Sequence, residues 1–536
     1  MHRKGRLREA EKLYARVLKA EPGNFDALHL LGSLKAQSGQ MGEALRLITA
    51  ALKVNPRASD ALVNLANVLH SLKRDGEALD CLDKALAINP GDMQALTNRG
   101  NALLALGRPQ EAVANFEQVL AREPRHVDAL LNRGSALAAL GRTTAALADF
   151  DAALALAPGQ PGILYNRGNA LSDLGRYPEA LAAFDLALAA SPSHAAAWNN
   201  RGRALQALNR PHEAIASFDK AIALQKDFAD AHFNRALSLL TVGELGQGFA
   251  EYEWRWKRTG MGARPNYSRP LWFGEYPLGA RTILLHAEQG LGDTIQFARY
   301  APLLARAGAT VLMDVQPELK TLLARLEGVA SCHARGETLP AYDVHCPMGS
   351  LPLAFKTEAG TIPAKIPYLC ADDARTAKWR PAINALPGKR IALAWAGHAR
   401  HANDRNRSIE FKLLEPLLTQ DGISFVSIQR ELRHDDAALL ARYPRLIHIG
   451  ADLADMADTA AVLALADLLI AVDTSVVHLA GAMGRPVWVM LPFAADWRWT
   501  PSGASSPWYP QARLFRQPAP GDWPSVIAEV CAALNG

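Results

Sequence analysis

"RTILLHAEQGLGDTIQFARY", residues 281–300, decides how the second half of this chain is read. An apolar run, Ile283-Leu284-Leu285, has the character of a buried strand, and the segment from Leu291 onward reads as a helix. A glycine turn therefore joins strand to helix. Turns of this kind commonly hold phosphate, because the first N–H groups of a helix are unpaired and its dipole is positive there. A dinucleotide fingerprint, however, needs a third glycine where Ile295 stands. The turn carries an acid instead, Asp293. Three roles are open to it: a phosphate cradle, a structural corner, or the seat of a general base.

Outward from this turn the same alternation continues. "ATVLMDV" (309–315) and "YDVHCP" (342–347) read as further strands of a first lobe. After "PYLCADDARTAKWRPAINALPG" a second set begins: "RIALAWAG", "SFVSIQ", "LIHIG", "LLIAVD" and "PVWVMLP". Two successive strand–helix sets predict an α/β region of two Rossmann-like lobes. Their ligands are expected beyond the carboxyl ends of the strands.

The first half repeats. Pro22, Pro56, Pro90, Pro124, Pro158 and Pro192 are each 34 residues apart. An alanine recurs on the same period from Ala44 to Ala214. A turn residue does too: Gly39, Gly107, Gly141, Gly175, Asn209 and Gly243, with Lys73 as the exception. This period resembles the tetratricopeptide repeat, an α-solenoid of paired helices with a concave surface that commonly binds peptides. Small residues such as Gly100, Gly134 and Gly168 let helices approach, and Phe116, Phe150, Phe184 and Phe218 fill the space between units. Asn64, Asn98, Asn132, Asn166, Asn200 and Asn234 form a further column on the first helix of each pair. Their amides could grip an extended acceptor chain by its backbone, or could bond to the neighbouring unit; both readings stand. The column resembles that of the eukaryotic-type O-GlcNAc transferases. Periodicity fails near residue 250. The expected divisions are an array with closing helix at 1–257, a linker at 258–280, a first lobe at 281–385 and a second at 386–536.

Composition narrows the class. Of 536 residues, 49% are hydrophobic and 21% charged, ordinary values for a globular protein. The formal charge of +5 forms no basic block, so nucleic acid is not expected. The longest apolar run, 460–472, is interrupted by Asp467, and the first residues read as an amphipathic helix without a signal core. No membrane span and a cytoplasmic location are expected. The five cysteines lack metal or disulfide spacing. Homo-oligomerisation is left open.

"IAVDTSVVHLAGAMGRPVWVML" (470–491) is the second informative stretch. A strand ends at Asp473, and Thr474, Ser475 and Val476 open a helix containing His478. This is an anion site or an ordinary N-cap. The stretch resembles the D-T/S-x-x-x-H-L-A-x-A-x-G-x-P signature of the ADP-heptose:lipopolysaccharide heptosyltransferases, and "GLGDTIQ" resembles the turn in their first lobe. The resemblance covers roughly 281–536 and implies a metal-independent, inverting glycosyltransferase of the GT-B fold. The layout as a whole is similar to bacterial flagellin glycosyltransferases that join tetratricopeptide repeats to such a domain. By that resemblance Asp293 is the base. The diphosphate of a nucleotide sugar, the co-substrate, lies against Thr474, Ser475 and Val476. Arg405 and Arg407 in "GHARHANDRNRSI" (397–409) do the work of a metal, and Gln429 edges the nucleotide. His398 and His401 have H-x-x-H spacing but no third ligand; no metal and no cofactor is expected. The combined expectation is a protein O-glycosyltransferase acting on Ser or Thr. A scaffold with a degenerate α/β half, or a transferase for a glycan acceptor, are the alternatives.

Overall fold

The computed structural model describes residues 6–260, 265, 267–399 and 403–536. By packing, the chain divides into two compact units, Met1–Ala204 and Leu205–Gly536.

The first unit is a tetratricopeptide-repeat solenoid. Helices of 13 and 14 residues alternate, as in Phe25–Gln37 with Met41–Val54 and Val127–Ala139 with Thr143–Leu156. The expected columns explain the packing. The alanines at 44, 78, 112, 146 and 180 are wholly buried. A Cβ added to Gly100, Gly134 or Gly168 would come within 2.6 Å of the ring of Phe116, Phe150 or Phe184. Each glycine is therefore the seat of a phenylalanine. Gly39, Gly107, Gly141 and Gly175 have positive φ and end the first helix of a pair; Lys73, at φ 62°, keeps that left-handed turn without a glycine.

The second unit begins inside the repeat pattern. It holds the second helix of one pair, Pro211–Leu224, and the first helix of the next, Ala229–Thr241, which is followed by a closing helix, Leu245–Tyr252, and a 3-10 turn, Glu253–Lys257. Leu240, Leu245, Phe249 and Tyr252 belong to the same apolar core as both sheets. The sequence boundary at 257 marks where the repeat pattern stops, whereas the packing boundary lies at Leu205. Within the expected linker, two described residues are bonded to the first sheet: Trp272 N–H donates to His345 O (2.9 Å) and Tyr267 Oη to Asp314 Oδ2 (2.8 Å).

Two parallel sheets follow. The first holds β1 (Thr282–His286), β2 (Thr310–Val315), β3 (Val329–Ala334) and β4 (Val344–Pro347) in the order β3-β2-β1-β4. The second holds β5 (Lys389–Ala394), β6 (Ile423–Ser427), β7 (Leu446–His448), β8 (Leu468–Val472), β9 (Val487–Leu491) and β10 (Ala512–Arg516) in the order β10-β9-β8-β5-β6-β7. Every pairing is parallel. The strand order reverses between β1 and β4 and between β5 and β8, which are the places where such sheets open a crevice. β3 (VASCHA) and β10 (ARLFR) escaped the apolar-run reading because polar or charged residues interrupt both, and neither is buried throughout. The helix Asp373–Asn384, assigned by sequence to the first lobe, packs on Met456–Leu465 of the second, where Arg375 Nη1 meets Asp455 (2.7 Å) and Asp458 (2.8 Å).

Candidate functional site

At the end of β1 the chain turns through Glu288–Gly290 into a short helix, Leu291–Phe297. Asp293 sits in its first turn. Its Oδ2 accepts the Gly290 N–H at 3.0 Å, a capping bond, and its Oδ1 is bonded by Arg498 Nη2. Gly292 has a reason the sequence did not disclose. A Cβ there would lie 2.7 Å from His478 Cδ2, so the close approach it permits is that of the second lobe.

The facing element starts at the end of β8. Thr474 is the extended residue before the helix Ser475–Ala482, and no side chain caps that helix. Thr474 Oγ1 is buried without a partner. Arg407 reaches the same place: its Nη1 donates to Asp473 O at 3.0 Å, while its Nε is buried and unpaired. The guanidinium rests on Gly397, where a Cβ would come within 2.4 Å of Nη2. Its loop is braced by Ser408, whose Oγ accepts the Gly397 N–H (3.1 Å) and donates to Asp404 (2.6 Å). Two unpaired polar atoms, an uncapped helix start and a guanidinium thus converge at the β5/β8 crevice. That combination suits an anion.

The remaining expected residues are placed differently from one another. Arg405 is exposed on the solvent side of the same loop, and so is His398, 3.4 Å from Glu431; His401 lies outside the described residues. Gln429 is buried, its Oε1 accepting the N–H groups of Trp395 and Ala396 and its Nε2 donating to Ala396 O. In this structure it fastens the loop after β5. His478 is buried between Tyr509, whose Oη lies 3.2 Å from Nδ1, and the Trp499 ring. Burial, reinforced by Arg498 and Arg299, pushes its pKa well below the usual histidine value, so it is neutral at pH 7. Asp473 is pushed up to about 6 by burial and then by the neighbouring Asp496.

Arg498 is the residue that sequence reasoning missed. Besides Asp293 it bonds Gln296 through Nε and Asp496 through Nη1 (2.8 Å), and it stacks on Trp497. Burial opposes its charge, but Asp496 and Asp293 outweigh burial and raise its pKa. Three acids in the connections that follow β1, β8 and β9, namely Asp293, Asp473 and Asp496, were the available signal that a cation must lie among them.

In the solenoid, the amides of Asn64, Asn98, Asn132, Asn166 and Asn200 donate to the preceding unit. Asn98 bonds Asn67 (2.7 Å), Asn132 bonds Asn101 (2.9 Å), and Asn200 bonds Asn169 (2.8 Å). Asn64 reaches Ser33 (3.2 Å) and Asn166 reaches Ser135 (3.5 Å). Asn234 is buried, and its main-chain carbonyl accepts from Gln206 Nε2 (2.9 Å).

Fold and site define a tetratricopeptide-repeat solenoid followed by an α/β region with two parallel sheets. Comparisons with known proteins agree for the repeats. The tetratricopeptide-repeat family matches residues 97–161 and, through a second model, 57–124 and 159–227. The family of anaphase-promoting complex (cyclosome) subunit 3 matches 3–85. Protein FlbA of Caulobacter vibrioides is 29% identical over 324 residues, 55% of this chain and 53% of its own length. The chain thus spans about half the length of that relative. A tetratricopeptide repeat protein from Parabacteroides merdae is 20% identical over 43% of this chain and 91% of its own, with a TM-score of 0.37. YrrB, described as a repeat protein with an unusual peptide-binding site, is 28% identical over 34% of this chain and 95% of its own, with a TM-score of 0.30. No described helix is long and apolar enough to cross a membrane.

Proposed function

We propose that the α/β region is an inverting, metal-independent glycosyltransferase that moves a sugar from a nucleotide sugar to a Ser or Thr hydroxyl of a protein recruited by the repeats. The observation that supports this most is the facing pair of helix starts. Asp293 stands on the first, and the second offers an uncapped anion site lined by Arg407 and Thr474.

In the reaction the acceptor oxygen attacks the anomeric carbon while its proton passes to Asp293. Oδ2 is the suitable oxygen, since a single backbone N–H holds it while Arg498 holds Oδ1. The bond from the anomeric carbon to the diphosphate breaks, and its electron pair stays on the phosphate oxygen. Arg407 and the first N–H groups of the helix Ser475–Ala482 stabilise that charge. The nucleoside diphosphate then leaves.

A rival reading draws on the same geometry. Both oxygens of Asp293 are engaged, which suits a scaffold whose α/β region no longer turns over. Asp293→Ala separates the two. In a transferase it lowers transfer about 10²–10⁴-fold while stabilisation by nucleotide persists. Equal donor consumption by the variant and the parent protein would remove Asp293 from the reaction.

A further inference from the structure

The closing helix Leu245–Tyr252 and the turn Glu253–Lys257 do more than end the repeats. Phe249, almost wholly buried, meets Phe297 of the first lobe edge-on at 6.4 Å and Trp497 and Trp508 of the second at 5.6 and 6.4 Å. Tyr252 Oη is bonded to the Gln289 side chain, with Nε2 at 2.7 Å. Arg255, fully buried, donates from Nη2 to Glu288 Oε1 (3.1 Å) and Ser350 Oγ (2.7 Å), and from Nη1 to Glu253 Oε1 (2.6 Å). Glu288 Oε1 also accepts the Gly349 N–H at 3.0 Å, across the β1/β4 crevice.

Glu288 and Gln289 are the two residues that lead into Gly290, Gly292 and Asp293. A turn with two glycines has many conformations available when free, so it must be held from outside to present a carboxylate reproducibly. Here both leading residues are held by side chains of the closing segment. The arrangement is a poor stabiliser in itself. It buries a charge, and it leaves Glu288 Oε2 and Arg255 Nε without partners. Such expense at a strand end, beside a proposed catalytic acid, fits a geometric purpose.

We infer that Tyr252 and Arg255, at the end of the repeat array, are positioning residues for Asp293: through Gln289 and Glu288 they fix the turn that carries it, with Phe249 seated between the two lobes. The inference rests on the glycosyltransferase reading for what Asp293 does. The fixing of the turn stands without it. One consequence is that an α/β region cut at residue 281 lacks these anchors and should turn over poorly even with acceptors that need no recruitment.

The test uses the full-length chain and Tyr252→Phe, which removes one hydroxyl, alongside Gln289→Leu, which removes its partner. Both variants are expected to melt close to the parent, whereas amide exchange across 288–294 quickens several-fold. Donor consumption should lose about tenfold or more in kcat with KM little changed, as misplacement of a reacting group does. The double variant should be no worse than either single one, because both break the same bond. Unchanged exchange in both variants overturns the inference, and so does quickened exchange with unaltered kcat. If the parent consumes no nucleotide sugar, the glycosyltransferase reading fails instead; the exchange measurement still upholds or overturns the fixing of the turn.

Discussion

The Asp293 carboxylate is shared between the Gly290 amide and the Arg498 guanidinium, and Arg498 is shared in turn with Asp496 and Gln296. A charge so tied changes little when a distant surface residue is altered, but much when one of these partners goes. The two arginines proposed for the anion site differ just as sharply. Arg407 lies under the start of the second-lobe helix, whereas Arg405 faces solvent. A nucleoside diphosphate at 100 times its Kd should add about 2.7 kcal/mol to thermal stability. Arg407→Ala is expected to lose most of that shift, since hydrogen bonds to charged groups contribute roughly 1.5–3 kcal/mol, and Arg405→Ala to keep it. The reverse order would place the anion elsewhere. Glu288 supports a pH prediction. Burial, only partly countered by Arg255, pushes its carboxyl from 4.5 to about 7. Between those values the folded chain holds a proton that the unfolded chain has released, so stability falls as pH rises through this window. Glu288→Gln removes the effect. Its stability relative to the parent should climb between pH 5 and pH 8, by on the order of 3 kcal/mol. Urea unfolding at the two pH values checks this, and parallel curves would contradict it.

At the scale of elements, the helix starts at Leu291 and Ser475 meet because Gly292 has no side chain. Gly292→Ala would drive a Cβ to within 2.7 Å of His478 Cδ2, and His478 has no room to retreat between Tyr509 and Trp499. Donor consumption should fall in that variant more than nucleotide binding does. The Asn column is also an element-scale matter, since its amides tie each first helix to the one before. Net bonds of this kind are worth about 0.5–1.5 kcal/mol each. Changing Asn132, Asn166 and Asn200 together to Ala is expected to lower the melting temperature and to reduce protein modification. Donor hydrolysis without acceptor should stay near the parent value. A side-by-side assay decides, and unchanged modification would leave the column a purely structural one. What the sequence disclosed follows the same divide. Most strands were legible because they carry an apolar run, while β3 (VASCHA) and β10 (ARLFR) are broken by polar or charged residues and show no such run. The repeat was legible because each unit packs as the last one does, down to the glycine that seats each phenylalanine.

At the scale of the whole chain, the residues hardest to read were those whose partners are far away in sequence. Arg498 meets an acid 205 positions earlier, and Arg255 meets Ser350, 95 positions on. No local pattern announces either one. The compact unit from Leu205 to Gly536 gathers the last repeat helices and both sheets into one core, so the site is walled by three parts of the chain rather than two. The most direct measurement is release of nucleoside diphosphate from a panel of nucleotide sugars by the purified full-length protein in EDTA, beside Asp293→Ala. A metal-independent transferase consumes at least one donor of the panel, and the variant does so about 10²–10⁴-fold more slowly. No consumption of any donor would contradict the proposed glycosyltransferase; consumption that appears only when magnesium is restored would contradict its metal independence, and equal rates in the two proteins would remove Asp293 as its base.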